Sequence, residues 1–209
     1  MKDDSGADNK QGLADRGRLM KNTIIIALIV LLGAASASAF DGKRKGFVLG
    51  GGLGLALEAG WSIDGTYNGL TDASETKTGF AGQVVIGYAW NEHNMIVYEG
   101  NYSGYESDLL SSDPYYINRD IFQGITGVSW YHYFGRVGRS AFATVGAGMY
   151  VFAIGNDGGN ERRGGIQIGG GSEFARHFQI GLYIAVGRTE RYVDFSHSQI
   201  NLLVSEVGF

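Results

Sequence analysis

The nine residues FQIGLYIAV, 178–186, alternate without a break. Phe178, Ile180, Leu182, Ile184 and Val186 fall on one side of an extended chain, and Gln179, Gly181, Tyr183 and Ala185 on the other. A period of two marks a β-strand, because successive side chains leave the backbone in opposite directions. One face is large and apolar; the other is small or weakly polar and carries no charge. The same division runs through FVLGGGLGLAL, 47–57, where Phe47, Leu49, Leu53, Leu55 and Leu57 oppose Val48, Gly50, Gly52, Gly54 and Ala56. It recurs in FAGQVVIGYAW, 80–90, where Phe80, Val84, Ile86, Tyr88 and Trp90 oppose Ala81, Gln83, Val85, Gly87 and Ala89.

Weaker alternation covers residues 96–104, 166–174 and 200–209. Segments 121–134 and 140–154 have strand composition but leave the outward face undecided. The sum is eight strands, with no helical period after residue 40. Their connections alternate in length. About fifteen residues around 63–77, then 106–119, 155–163 and 190–198, form long loops; 91–94, 135–139 and 175–177 are short. This is the layout of an up-and-down barrel, and transmembrane barrels pair short turns at one end with long loops at the other.

Aromatic residues support a membrane setting. Phe47, Tyr88, Trp90, Tyr131, Tyr133, Phe134, Phe142, Phe174, Phe178 and Phe209 gather near the short turns. Trp61, Phe80, Tyr102, Tyr105, Phe122, Tyr150 and Phe152 gather near the long loops. Two such girdles are expected where a barrel wall meets the two interfaces of a bilayer. The alternative of a soluble lipocalin-like carrier would turn the large apolar face inward and require a charged face toward water. The small, uncharged face seen here suits the inside of a narrow barrel instead. The fold class is therefore all-β: an eight-stranded antiparallel up-and-down transmembrane β-barrel.

Composition agrees. Of 209 residues 35 are glycine, one is proline and none is cysteine. Disordered or collagen-like glycine-rich chains are poor in large apolar residues or rich in proline, whereas hydrophobic residues make up 44% here. Without cysteine there is no disulfide, thiolate metal site or thiol nucleophile. A net charge of −4 gives no nucleic-acid footprint. The lone Pro114 falls in a long loop, where no ladder hydrogen bond is lost.

Residues 1–19 are polar and contribute nothing to a core, so Met20 is a candidate start. From Met20 and Lys21 the chain runs into nine apolar residues, 24–32, then small residues ending in Ala37-Ser38-Ala39. That order describes a secretory signal peptide over 20–39, with Ala37 and Ala39 at the cleavage site. Its apolar run is shorter than the roughly 20 residues a spanning helix requires. The barrel domain is then 40–209, and its place is the outer membrane of a Gram-negative cell.

The leader, the eight alternating strands, the four loops and the terminal Phe209 together resemble the eight-stranded outer-membrane barrels of the OmpA transmembrane-domain and OmpX type. In that group a terminal aromatic with apolar residues at alternate preceding positions is read by the barrel-assembly machinery. The resemblance implies that role for Leu203, Val207 and Phe209, with Ser205 interrupting the series. It also implies a monomer among outer-membrane lipid and lipopolysaccharide; full-length OmpA-type proteins continue into a peptidoglycan-binding domain, which is not expected in a sequence that stops at Phe209.

Four carboxylates are assigned to the interior: Glu58, Glu99, Glu173 and Glu206, with Arg44, Arg188 and His132 as candidate partners. Charges in a narrow interior need partners, so these residues read as a polar plug. The competing reading is an ion-conducting network. An enzymatic alternative resembles the outer-membrane lipid A deacylases, which use His, Ser and Glu late in the chain. His197-Ser198 and Glu206 follow that order. The family, however, separates His from Ser by one residue, and Glu206 lies a strand's length from His197. No catalytic residues, metal ligands or cofactor are assigned. Function on such a scaffold is expected in the loops. ESDLLSSDPYYINR, 106–119, and ERYVDFSHS, 190–198, are candidates for a surface ligand.

Overall fold

A computed structural model of the chain describes residues 43–67, 70–109, 120–154, 161–191 and 193–209. The expected signal peptide, 20–39, with Ala37 and Ala39, lies outside the described residues. Eight long strands close a barrel: β1 (Gly46–Ile63), β4 (Ser74–Asn91), β5 (Asn94–Glu106), β6 (Asp120–Tyr133), β7 (Ala141–Ile154), β8 (Glu161–Ala175), β9 (Phe178–Arg191) and β10 (Val193–Gly208). Every neighbouring pair is antiparallel, and β1 pairs with both β4 and β10. Two short strands, β2 (Thr66–Tyr67) and β3 (Leu70–Thr71), pair with each other in the first long connection.

The large apolar faces point outward. Phe47, Leu53, Leu55 and Leu57 on β1, Phe80, Val84, Ile86, Tyr88 and Trp90 on β4, and Phe178 through Val186 on β9 are exposed at alternate positions. The two undecided strands acquire a face. Phe122, Val128 and Trp130 on β6, with Val145 and Met149 on β7, point outward, while Gln123, Ile125, Tyr131, Phe142, Thr144 and Tyr150 are buried inside.

Most loops are shorter than the alternation suggests, because strands continue past the apolar zone. β4 begins at Ser74 and β8 at Glu161. The stretch 190–198 is mainly strand, with Val193 paired to Arg191. Backbone groups pair there whatever the side chains are, but polar residues leave no hydrophobic period to read.

Two of the four interior carboxylates are misassigned by strict alternation. Leu57 is an extra residue on β1, since Ala56 pairs with Asn201 and Glu58 with Ile200. A bulge of this kind reverses the phase of everything beyond it. Leu57 and Glu58 are therefore both exposed, and Ala59, Trp61 and Ile63 turn inward. In the cysteine-free background, Glu58→Cys should react readily with a water-soluble maleimide on the folded protein. Ala59→Cys should be protected until unfolding; equal reactivity would argue against the bulge.

On β10 the assigned phase is inverted. Leu203, Val207 and Phe209 are buried in the interior, and Leu202, Val204 and Glu206 lie on the outer side. Both faces of this strand carry aliphatic residues. The deciding marks are Gln199, Asn201 and Ser205, buried with the odd-numbered set. The aromatic girdles divide likewise. Phe47, Tyr88, Trp90, Phe134, Phe174, Phe178, Phe80 and Phe122 are exposed, whereas Tyr131, Tyr133, Phe142, Phe209, Trp61, Tyr105, Tyr150 and Phe152 are interior.

Candidate functional site

The interior is a column of amides, hydroxyls and tyrosines at alternate strand positions. Glu99, midway along β5, is 2% exposed. Its Oε2 accepts hydrogen bonds from Gln83 Nε2 at 2.9 Å and Tyr131 OH at 2.7 Å, and its Oε1 accepts from Gln167 Nε2. Gln167 also donates to Ser129 Oγ at 2.9 Å, and Ser205 Oγ donates to Gln83 Oε1 at 2.9 Å. The carboxylate is thus held by neutral donors from β4, β6 and β8. A second cluster joins β5 to β10. Ser103 Oγ lies 2.9 Å from both Gln199 Oε1 and Asn201 Oδ1, and Asn201 Nδ2 donates to Asn101 Oδ1 at 2.8 Å. These bonds cross the lumen, and the interior is occupied by side chains.

Glycine makes room for the rings. A Cβ on Gly169 would come within 2.7 Å of the Tyr183 ring, and one on Gly181 within 2.8 Å, closer than carbon atoms pack. Much of the glycine on inward faces accordingly sits where a tyrosine or a neighbouring backbone presses against the wall.

At the short-turn end, Arg44 closes the barrel. It is fully buried, and its Nη2 is 2.6 Å from Glu173 Oε2 on β8. Gly138 N donates to the same oxygen at 2.9 Å, and Nη1 donates to the carbonyl of Glu92. The guanidinium lies over the Tyr133 ring, 3.7 Å from its centroid, with Phe209 at 5.6 Å. One side chain therefore ties the segment before β1 to two of the short connections, directly at Glu92 and through Glu173 at Gly138, and to the last turn-proximal residues of β8.

The long-loop end is closed by rings. Trp61, Phe152, Phe195 and His197 pack together, with Phe152 and His197 centroids 4.6 Å apart and Tyr150 stacked on His197 at 5.0 Å. His197 Nε2 is bonded to Thr189 Oγ1 at 2.8 Å. Above them Glu75 binds the start of the second long loop, accepting from Ser107 Oγ at 2.5 Å, Asp108 N at 2.8 Å and Leu109 N at 3.3 Å. Lys77 pairs with Asp108 on the outer side. Arg163 bridges Glu190 and Asp194 on the adjoining strands.

Of the carboxylates assigned to the interior, Glu99 and Glu173 are there, in separate clusters; Glu58 and Glu206 are on the outside. Arg44 is the partner of Glu173, whereas Arg188 is exposed and His132 lies on the outer side beside Asn94. His197 faces inward and Ser198 takes the alternate face, with Glu206 outward near the other end. His197, Ser198 and Glu206 are therefore not brought together. Glu75 and the interior amides are absent from the sequence-level assignments. The amides carry a signal, since glutamine recurs on the small face of several strands; Glu75 falls within the expected loop 63–77, where no alternation marks it.

A closed barrel of eight antiparallel strands, apolar outside and filled with polar side chains inside, is the fold of the eight-stranded outer-membrane barrels of OmpA/OmpX-like kind. Among solved structures the chain is similar to Neisserial surface protein A (NspA), with 12% identity, 82% of this chain and 100% of that chain covered, and a TM-score of 0.52. Ail, the attachment invasion locus protein of Yersinia pestis, aligns at 14% identity over 77% of this chain and 99% of its own, with a TM-score of 0.44. AlkL, an outer-membrane protein solved in DMPC bilayers, aligns at 14% over 81% and 93%, also at 0.44. No family model and no curated protein matches the sequence. At this identity the likeness to NspA concerns the fold.

Proposed function

We propose that the protein is a monomeric, non-enzymatic outer-membrane barrel of a Gram-negative envelope. It is exported by the signal peptide over 20–39, inserted by the barrel-assembly machinery, and oriented with its short turns toward the periplasm. Its work is structural or lies in surface interaction through the long-loop end, where it meets lipopolysaccharide. The observation that carries this reading is the outward belt of large apolar residues around a wall whose interior is polar and filled. In water that belt would be an exposed apolar surface far larger than soluble monomers tolerate; in a bilayer it is solvated. The braced outer end favours surface interaction, since the Glu75 and Arg163 contacts hold neighbouring connections in place.

The folded protein should fractionate with outer membrane and change its gel mobility on heating in detergent; recovery as a soluble periplasmic protein would sink the reading. Planar bilayers containing it should show no steady conductance, because the Glu99, Gln199 and Arg44 clusters fill the lumen. Lipid A from cells with and without the protein should carry the same acyl chains. An acyl chain lost only when His197 and Ser198 are intact would establish the deacylase alternative.

A further inference from the structure

We infer that the rim at the short-turn end is a binding surface for anionic phospholipid headgroups; this rests on the membrane reading above. The turn between β6 and β7 places two arginines directly opposite each other, Arg136 and Arg139, as a paired antiparallel bridge. Both are exposed. Paired positions put side chains on one face of the ribbon, and like charges there repel. None of the ion pairs among the described residues involves Arg136, Arg139, Arg176 or Lys45. Glu173, whose carboxylate accepts from Gly138 N in this turn, is already engaged by Arg44. Two juxtaposed guanidiniums without a carboxylate present a fork of donors suited to phosphate.

The position of these cations selects a lipid phosphate. Arg136 follows the exposed Phe134 by two residues, Arg176 follows the exposed Phe174 by two, and Lys45 precedes the exposed Phe47 by two. Each cation therefore follows or precedes an outward aromatic ring by two residues, on the side where the strand gives way to the turn or end of the barrel. Trp90 and Trp130, also exposed near this end, are of the type that settles at headgroup level. Aromatic rings at the boundary with cations at the turns beyond them match the order of acyl chain, glycerol and phosphate. The turns adjoin, since a Cβ on Gly138 would lie 3.2 Å from Arg176 N, so Arg176 joins the Arg136–Arg139 pair in one patch.

Tryptophan fluorescence tests this directly, because Trp90 and Trp130 face outward near the rim while Trp61 is buried inside the barrel. The folded protein is placed in phosphatidylcholine vesicles containing an equal fraction of either brominated phosphatidylglycerol or brominated phosphatidylcholine. The anionic lipid should quench more strongly, with a relative association constant about fivefold higher. The preference should shrink as salt is raised. It should fall toward unity in an Arg136→Gln/Arg139→Gln/Arg176→Gln protein and stay unchanged in Arg188→Gln, at the opposite end. Equal quenching by the two lipids, or a preference that survives the triple substitution, would overturn this assignment alone. Absence of quenching by either lipid would overturn it together with the membrane reading.

Discussion

Arg44→Met should lower the unfolding free energy of the folded barrel by about 3–5 kcal/mol, the usual penalty for stranding one member of a buried ion pair. The substitution keeps the length of the stem but leaves the Glu173 carboxylate inside the barrel with Gly138 N–H as its remaining hydrogen-bond donor. It also removes the cation from the face of Tyr133. Arg44→Met/Glu173→Met should recover much of the loss, because no charge is then buried unpaired. Urea unfolding in lipid vesicles, followed by tryptophan fluorescence and the heat-modifiable gel band, reads both variants. An Arg44→Met cost below about 1 kcal/mol, the size of an exposed pair, would mean that this end is open to water and that Arg44 does not close it.

Glu99→Leu should be at least as damaging, for a different reason. Three donors converge on this carboxylate, from Gln83, Tyr131 and Gln167, and each unsatisfied buried donor costs about 1–3 kcal/mol. Glu99→Gln retains a carbonyl oxygen for one or two of these donors and should lie between wild type and Glu99→Leu. Adding Gln83→Leu and Gln167→Leu to Glu99→Leu should restore part of the stability by removing the stranded partners. If Glu99→Leu instead matched wild type in its urea midpoint, the interior would have to be wet enough to hydrate those donors, and the filled-lumen reading would fall with it.

The wall of this barrel was legible because its determinants are local. Residues 178–186, 47–57 and 80–90 each place bulky apolar groups at every second position, and the structure faces those groups outward as read. Where the pattern weakened, so did the assignment. β10 has Ile200, Leu202 and Val204 on one face and Leu203, Val207 and Phe209 on the other, so hydrophobicity could not choose between them. Its Gln199, Asn201 and Ser205 could have, given that Gln83 and Gln179 mark the small face elsewhere. The girdles misled because an aromatic at a strand end can point either way, and half of them turn inward to cap the lumen. The loops were overestimated at 190–198 because the paired ends of β9 and β10 are polar.

Composition and alternation by themselves determined that the chain forms eight strands in a narrow barrel, apolar outside and small or polar inside. That follows from side-chain direction, which changes sign with each residue and needs no knowledge of any other strand. Tertiary structure alone decided the contents of the site. Leu57 shifts the phase of β1 through its pairing with β10, which exposes Glu58. Glu99 finds donors on three other strands, and Arg44 meets Glu173 across 129 positions of chain. Such contacts depend on register and on closure of the sheet, which bring together residues that carry no trace of one another in the linear order.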